Sequence, residues 1–224
     1  MKEFILGDCM EHLKNYADNF FDLAIVDPPY GIGINTMSYT NGVVWTKNAS
    51  AKRRDYTTDS KWDVAPTKEY FDELLRVSKK QVVWGGNYFA DKLPPSKSFI
   101  VWDKRCDDNM VNSFADCEYA WASSGCGVAR VFRYLWNGML QGDMKNKEDR
   151  FHPTQKPVAL YKWVLSHYAE QGDKILDTHV GSASSLIACE EMGFDYVGYE
   201  IDEGFYNLAK QRIEDFNAQV RWQL

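Results

Sequence analysis

The sequence lacks any apolar run of about 18 residues, so we expect no transmembrane helix. It also lacks a C-x-x-C pair, and its five cysteines are an odd number: Cys9, Cys106, Cys117, Cys126 and Cys189. These cysteines argue against a disulfide framework or a zinc ribbon and are typical of a reducing cytoplasm. The N-terminus becomes acidic at Glu3, too early for a signal peptide. We therefore expect a cytoplasmic protein.

Positive charge is scarce, because 26 Lys and Arg residues stand against 32 Asp and Glu, which gives a net charge of −6. This balance counts against a nucleic-acid partner, since phosphate binding usually shows a basic footprint. A local patch could still contact phosphates, and the candidates are Lys47, Lys52, Arg53, Arg54, Lys104, Arg105, Arg130 and Arg133. For each of them the alternative, a solvated surface charge, stays open.

Short apolar runs alternate with segments of helical period, which is the pattern of a mostly parallel sheet flanked by helices. It predicts strands at 3–6, 22–26, 81–84, 98–102, 174–176 and 196–199, and helices at 67–78, 157–169, 182–192 and 203–216. Segments 117–121 and 128–134 are candidate antiparallel strands. The polar stretch 31–65 predicts a long functional loop. The length suits one sizeable α/β domain over residues 1–224.

The segment Asp27-Pro28-Pro29-Tyr30 follows a predicted strand, and ligands bind at such strand ends in open α/β sheets. An exocyclic aromatic amine is a poor nucleophile, because its lone pair is delocalised into the ring. A carboxylate and a rigid backbone carbonyl that accept its two N–H groups would localise the lone pair and stabilise the developing positive charge. Asp27 and the Pro28 carbonyl could supply these acceptors, with Tyr30 stacked on the base. The alternative is a turn that merely ends the strand.

A second candidate site begins at Asp177, where a strand runs through Gly181 and Ser182 into a helix. Such a small-residue turn lets a ligand approach the backbone closely. Glu200 and Asp202 follow the next strand about 20 residues later, a spacing that suits a carboxylate bound to ribose hydroxyls. No G-x-G-x-x-G is present, which disfavours a dinucleotide.

The third motif is Phe151-His152-Pro153-Thr154-Gln155-Lys156-Pro157, which precedes a predicted helix. Thr154 is a candidate for the N-cap region, and Lys156 could meet a carboxylate. His152 could equally be a structural hydrogen-bonding residue. The chain has no second His or Cys at metal-ligand spacing, so we predict no metal site.

Together these segments resemble the DNA amino-methyltransferases, with the catalytic motif ahead of the cofactor motifs as in the permuted β class. The resemblance spans nearly the whole chain and implies a Rossmann-like fold with S-adenosyl-L-methionine as cofactor. It implies that Asp27, Pro28, Pro29 and Tyr30 are catalytic. It also implies a cofactor site formed by Asp8, Cys9, His152, Thr154, Gln155, Lys156, Asp177, Gly181, Ser182, Glu200 and Asp202. Two departures are Ala183 at the usual second glycine and Thr178-His179 at the usual Pro-Phe.

An Asp before Pro-Pro-Tyr leans towards adenine N6 in this family, and stretches 84–90 and 100–104 look like those of solitary or phage-type adenine enzymes. The resemblance therefore implies methylation of adenine N6 in double-stranded DNA, with the target base flipped out. Segments 31–65 and 103–150 are the candidates for target recognition. Alternatives are cytosine N4, an RNA or protein substrate, or a non-catalytic nucleic-acid-binding relative. A bacterial or phage origin and a homodimer are family-level expectations. Because the motifs occupy the whole chain, we expect that it has no room for a nuclease domain.

Overall fold

An eight-stranded sheet organises the computed structural model, which describes residues 1–33, 63–106, 115–137, 140–150, 152 and 154–221. Its strands are β1 (Lys2–Leu6), β2 (Phe21–Val26), β3 (Ser78–Trp84), β4 (Ser98–Asp103), β5 (Cys117–Ala122), β6 (Arg130–Arg133), β9 (Lys174–Asp177) and β10 (Asp195–Glu200). Two short strands, β7 (Trp136–Asn137) and β8 (Leu140–Gln141), form a separate pair. The helices are α1 (Cys9–Leu13), α2 (Lys68–Val77), α3 (Val158–Tyr168), α4 (Ser184–Met192) and α5 (Glu203–Arg221).

The strand order is β1-β10-β9-β2-β3-β5-β4-β6, and every neighbouring pair is parallel except the two that include β5. The carboxyl ends of the other seven strands therefore lie at one edge of the sheet. Because β5 is antiparallel, its first residues reach that same edge. This edge is where ligands bind in open α/β folds.

Alternation along the buried strands gives the sheet two apolar faces. Leu23 and Ile25 of β2 pack in the cluster that includes residues of α3, α4 and α5. Ala24 and Val26 point to the opposite face, in the cluster with residues of α1 and α2. The result is a three-layer, Rossmann-like α/β arrangement, which confirms the predicted fold class.

Several predicted elements need correction. The segment 130–133 does not pair with β5; β6 lies beside β4 and parallel to it. Helix α1 was not predicted, because it is only five residues long. Helix α3 begins at Val158 with Pro157 as its N-cap, so Thr154 does not cap it. Within the segment 103–150, β5 lies inside the main sheet between β3 and β4.

Most of the polar segment 31–65 lies outside the described residues, and so do Lys47, Lys52, Arg53 and Arg54. No helix in the described parts of the chain combines the length and the apolar character needed to span a membrane.

Candidate active site

Acidic side chains from four strands meet at the carboxyl edge of the sheet. Asp8 follows β1, Asp27 follows β2, Asp177 ends β9 and Glu200 ends β10. The strands β1, β10, β9 and β2 are consecutive neighbours. The topology thus brings the predicted catalytic motif and the predicted cofactor motifs to one continuous edge.

Both carboxylate oxygens of Asp27 have partners. The Tyr30 hydroxyl donates to Oδ1 at 2.9 Å, and the Lys156 ammonium donates to Oδ2 at 2.5 Å. The prediction that Lys156 meets a carboxylate is therefore confirmed. Among the described residues, none donates a hydrogen bond to the Pro28 carbonyl oxygen, because the β2 ladder stops at Val26. A rigid turn with a free acceptor follows from the two prolines.

A second carboxylate, that of Glu118 on β5, joins this cluster, although no motif pointed to it. Its Oε2 lies 3.2 Å from the Lys156 Nζ, and its Oε1 accepts from the Lys104 Nζ at 3.0 Å. Only 3% of the Lys156 side chain is exposed. The register of β5 could have indicated Glu118, since it shares a face with the buried Ala120 and Ala122.

Burial and charge compete in setting the protonation of this cluster. Burial raises the pKa of Asp27 above its ordinary value, although the Lys156 ammonium opposes the rise. Burial alone would also raise the pKa of Glu118, but the ammonium groups of Lys156 and Lys104 bring it below its usual value. For Lys156, burial lowers the pKa, and the carboxylates of Asp27 and Glu118 outweigh it and raise the pKa. Lys156 therefore carries its charge at neutral pH.

The Tyr30 ring is held by the turn after β3. A Cβ atom on Gly85 would lie 2.2 Å from the Tyr30 Cε1, so the backbone at Gly85 packs directly on the ring. Gly85 has a φ of +68°, which a side chain would strain further. Tyr88, which is partly exposed, stacks on Tyr30 with ring centroids 4.7 Å apart. The ring that is predicted to stack on a base is thus already in an aromatic environment.

The carboxylate of Glu200 is oriented by two backbone donors. The Gly181 N–H donates to Oε2 at 2.8 Å, and the Asp202 N–H donates to Oε1 at 2.9 Å. Each oxygen keeps a lone pair for a further donor. Beside it the Ile201 side chain is 63% exposed, an apolar surface next to a free acceptor. This combination fits the ribose hydroxyls and the flat base of a nucleoside. Asp202 itself accepts from the Phe205 N–H at 3.0 Å and so serves the start of α5.

Asp177 is buried beneath the cofactor turn. The Ser185 hydroxyl donates to its Oδ2, and the His179 N–H donates to its Oδ1 at 3.0 Å. Burial nevertheless raises the pKa of Asp177 to about 7. Thr178 is part of the Thr178-His179 pair that replaces the usual Pro-Phe of the family, and its hydroxyl forms a hydrogen bond with the Tyr70 hydroxyl at 2.6 Å. The loop is thereby tied to α2.

Ala183 adopts the left-handed conformation, with φ of 63°, at the N-cap of α4. A non-glycine residue at this position could avoid strain only with a negative φ, so the backbone of Ala183 is strained. Neighbouring Ser182 is buried, and its hydroxyl bonds the Ser184 hydroxyl at 3.1 Å. Its carbonyl accepts from the Arg212 guanidinium at 2.7 Å, which joins the turn to α5.

The motif around His152 lies against the cofactor turn. A Cβ on Gly181 would be 3.9 Å from the His152 ring, and that ring packs edge-on against Phe205 at 4.3 Å. Burial lowers the pKa of His152 to about 3, and its Nδ1 bonds the Thr154 hydroxyl at 3.0 Å. The neutral, hydrogen-bonded ring fits the structural alternative for His152. Phe151 and Pro153 lie outside the described residues.

Gln155 anchors the same motif to the preceding segment. Its backbone carbonyl accepts from the Trp136 indole at 3.0 Å, and its side-chain amide donates to the Asp149 carbonyl at 3.0 Å.

At the opposite end of the edge, Asp8 accepts from the Met10 N–H at 2.9 Å and caps α1. The following Cys9 is buried, and burial raises the pKa of its thiol to about 12. A buried, protonated thiol contributes packing rather than reactivity.

The described basic candidates are mostly paired with acids. Lys104 binds Glu118, Arg105 lies 2.9 Å from Asp116, and Arg133 lies 3.5 Å from Asp103. Arg130, at the start of the edge strand β6, is exposed. Phosphate binding by these four residues stays a prediction.

Three comparisons with known proteins relate this chain to DNA methyltransferases. A family model for DNA methylases, N6_N4_Mtase, matches residues 39–211. The type II methyltransferase M2.MboI of Moraxella bovis is 22% identical over 247 residues, which cover 96% of this chain and 88% of that protein.

Two solved structures share the fold. The M1.HpyAVI–SAM complex has a TM-score of 0.53 and 19% identity, covering 95% of this chain and 100% of its own. The PvuII DNA methyltransferase, which is described as cytosine-N4-specific, has a TM-score of 0.57 and 10% identity, covering 97% of this chain and 91% of its own.

Proposed function

This chain belongs to the N6_N4_Mtase family of DNA methylases, and from that premise we propose that it transfers a methyl group to adenine N6 in DNA. S-adenosylmethionine is the cofactor of this family. The observation that carries the proposal is the pair of acceptors at the end of β2. There the Asp27 carboxylate and the Pro28 carbonyl, which accepts no hydrogen bond from the described residues, lie beside the edge that holds Asp177 and Glu200.

The residues of the chain divide into two tasks. Glu200 would accept the ribose hydroxyls of the cofactor, and the turn at Gly181 would let the cofactor approach the backbone. The remaining cofactor candidates, Asp8, Cys9, His152, Thr154, Gln155, Ser182 and Asp202, shape the same edge by the contacts given above. Asp177 lies beneath the turn and supports it as a buried carboxyl group that accepts a hydrogen bond from the His179 N–H.

Bound S-adenosylmethionine supplies a methyl group on a sulfonium, which is the electrophile. Asp27 and the Pro28 carbonyl would accept the two N–H groups of the target amine and localise its lone pair for attack on the methyl carbon. The new N–C bond would form as the C–S bond breaks, and the electron pair of that bond would stay on sulfur, which leaves as a neutral thioether. Tyr30 stacks on the base. The nitrogen becomes acidic only once it is quaternary, so no base has to act before transfer. The Asp27 carboxylate then accepts the released proton, a role that its raised pKa favours.

The substrate details extend this proposal. The target adenine is flipped out of double-stranded DNA, because an enzyme does not reach the reacting atom of a base that is stacked inside a duplex. Segments 31–65 and 103–150 contact the recognition sequence, with Lys104, Arg105, Arg130 and Arg133 as described phosphate candidates. In this proposal the chain acts as a single methyltransferase domain in a bacterial cytoplasm, and two copies form a homodimer.

Cytosine N4 is the second candidate, and the likeness of the fold to the cytosine-N4-specific PvuII enzyme favours considering it. The same two acceptors serve either amine, since both are exocyclic and conjugated. The Asp in front of Pro-Pro-Tyr favours adenine.

The test is incubation of the purified protein with methyl-labelled S-adenosylmethionine and, separately, unmethylated DNA, bulk RNA and a protein mixture. The proposal expects label in DNA. Label found only in RNA or only in protein would show that this polymer, and not DNA, is the substrate. Cofactor binding without any transfer would favour a non-catalytic relative.

A further inference from the structure

Of the carboxylates that the described residues bring to the catalytic cluster, Glu118 is the one that belongs to none of the sequence motifs. It comes from β5, the antiparallel strand, whose first residues reach the carboxyl edge of the parallel strands. Its two oxygens bridge Lys104 and Lys156. Because the Glu118 carboxylate lies between two ammonium groups, its negative charge offsets part of their positive charge at the site.

The Lys156 ammonium has three hydrogens and, in the described part of the chain, three oxygen neighbours. These are the Asp27 Oδ2 at 2.5 Å, the Glu118 Oε2 at 3.2 Å and the Tyr30 hydroxyl at 3.3 Å. An ammonium group this deeply buried needs all its hydrogens satisfied. Two carboxylates therefore share one buried cation, and Lys104 balances the second carboxylate.

The balance matters for Asp27, because both of its oxygens are engaged before any substrate arrives. A target amine has to compete with Lys156 and Tyr30 for them. If Glu118 were neutral, Asp27 alone would balance Lys156, and the net charge around the reacting nitrogen would become more positive. A cationic transition state is disfavoured in such a field.

We propose that Glu118 is a positioning residue that shares the Lys156 ammonium and so keeps the net charge around the Asp27 carboxylate negative enough to stabilise the target amine as it becomes cationic. The proposal rests on the proposed amino-methyl transfer. It does not require that Glu118 touch substrate or cofactor.

Glu118→Gln is the direct test, because the Gln carbonyl can still accept from Lys156 while the charge is lost. With DNA and S-adenosylmethionine, kcat should fall by about 10- to 100-fold, while the cofactor Kd changes by less than about twofold. The matched control is Glu191→Gln, which removes a carboxylate from the exposed pair with Lys162 and should keep the wild-type kcat.

The pH profile separates charge sharing from simple support of Lys156. The Glu118 charge raises the pKa of Asp27, and the Lys156 charge lowers it. Loss of the Glu118 charge should therefore move the acid limb of kcat to lower pH. If Glu118 only held Lys156 in place, the limb would move to higher pH, as for a missing ammonium. Among the described residues, the charged or titratable groups that face Asp27 or Glu118 are Tyr30, Lys104, Lys156, Tyr161 and Asp177.

Glu118→Asp keeps the charge on a shorter side chain and should recover part of the lost kcat with the wild-type acid limb. If thermal unfolding shows that the Gln variant does not fold, the Asp variant takes its place as the test. A Gln variant with wild-type kcat, or an acid limb moved upward in either variant, would overturn the proposal. Wild-type protein that transfers no methyl group to DNA would instead overturn the proposed function, which keeps the two failures apart.

Discussion

Asp177→Asn should stabilise the cofactor-free protein, and increasingly so as the pH rises. Asp177 is 2% exposed, and burial raises its pKa to about 7 from an ordinary 3.8. Between these pH values the carboxyl group is protonated in the folded protein and ionised in the unfolded chain. The folded state then binds more protons, so this group lowers the free energy of unfolding as the pH rises through about 7.

The magnitude follows from the pKa difference. At 1.36 kcal/mol per pKa unit, ionised Asp177 costs the folded state about 4 kcal/mol above pH 7. Part of that cost is already present at pH 5, so the variant's advantage should grow by about 3 kcal/mol between pH 5 and pH 8. For a chain of this size that growth corresponds to roughly 6–12 °C in Tm.

The assay is denaturant unfolding of wild type and variant from pH 5 to pH 8.5 without cofactor. His152 and His179, whose pKa values burial lowers to about 3 and about 4, act in the opposite direction but cancel in the difference. Asp22→Asn is the contrasting control, since Lys79 and the Lys174 N–H hold the pKa of Asp22 below its usual value despite partial burial. That variant should lose stability relative to wild type at neutral pH. An Asp177→Asn advantage that stays constant across the range would refute the reasoning.

Three further outcomes are expected. Gly85→Ala and Gly193→Ala each place a side chain on a glycine in the left-handed conformation, at a cost of about 1–2 kcal/mol. Only the first displaces Tyr30 and should lose methyl transfer, because a Cβ on Gly193 meets nothing within 4 Å; equal activities would contradict this. Glu200→Ala should weaken cofactor binding in calorimetry by about 10- to 100-fold, the effect of lost hydrogen bonds to a charged group, and unchanged affinity would exclude it from the ribose site. Exchange of segment 103–150 with that of a related enzyme should change the methylated sequence, and an unchanged pattern would remove it from target recognition.

The sheet could be predicted from the sequence because its strands are short, apolar and bounded by turn residues. The 22–26 run ends at two prolines, and the 174–176 run ends at a small-residue turn. Local chemistry of this kind sets both ends of a strand. The pairing of β6 with β4 depends on contacts distant in the chain, and no local pattern encodes it.

Some residues of the site could be predicted from local sequence alone, whereas Glu118 required knowledge of the strand order. Asp27, Asp177 and Glu200 were found because each stands at the end of a predicted strand. Glu118 was missed because its place beside Lys156 arises from the insertion of β5 between β3 and β4. Its alternation with Ala120 was the available signal, and it carries weight only once β5 is known to be a core strand.

The most direct test of the central claim is nucleoside analysis of unmethylated DNA after reaction with S-adenosylmethionine and either wild-type protein or Asp27→Ala. The account predicts N6-methyladenine from the wild type. It predicts none from Asp27→Ala, although that variant still binds cofactor, because the carboxylate that receives the amine is gone. N4-methylcytosine would keep the mechanism and correct the base. N6-methyladenine formed by Asp27→Ala at the wild-type rate would contradict the account.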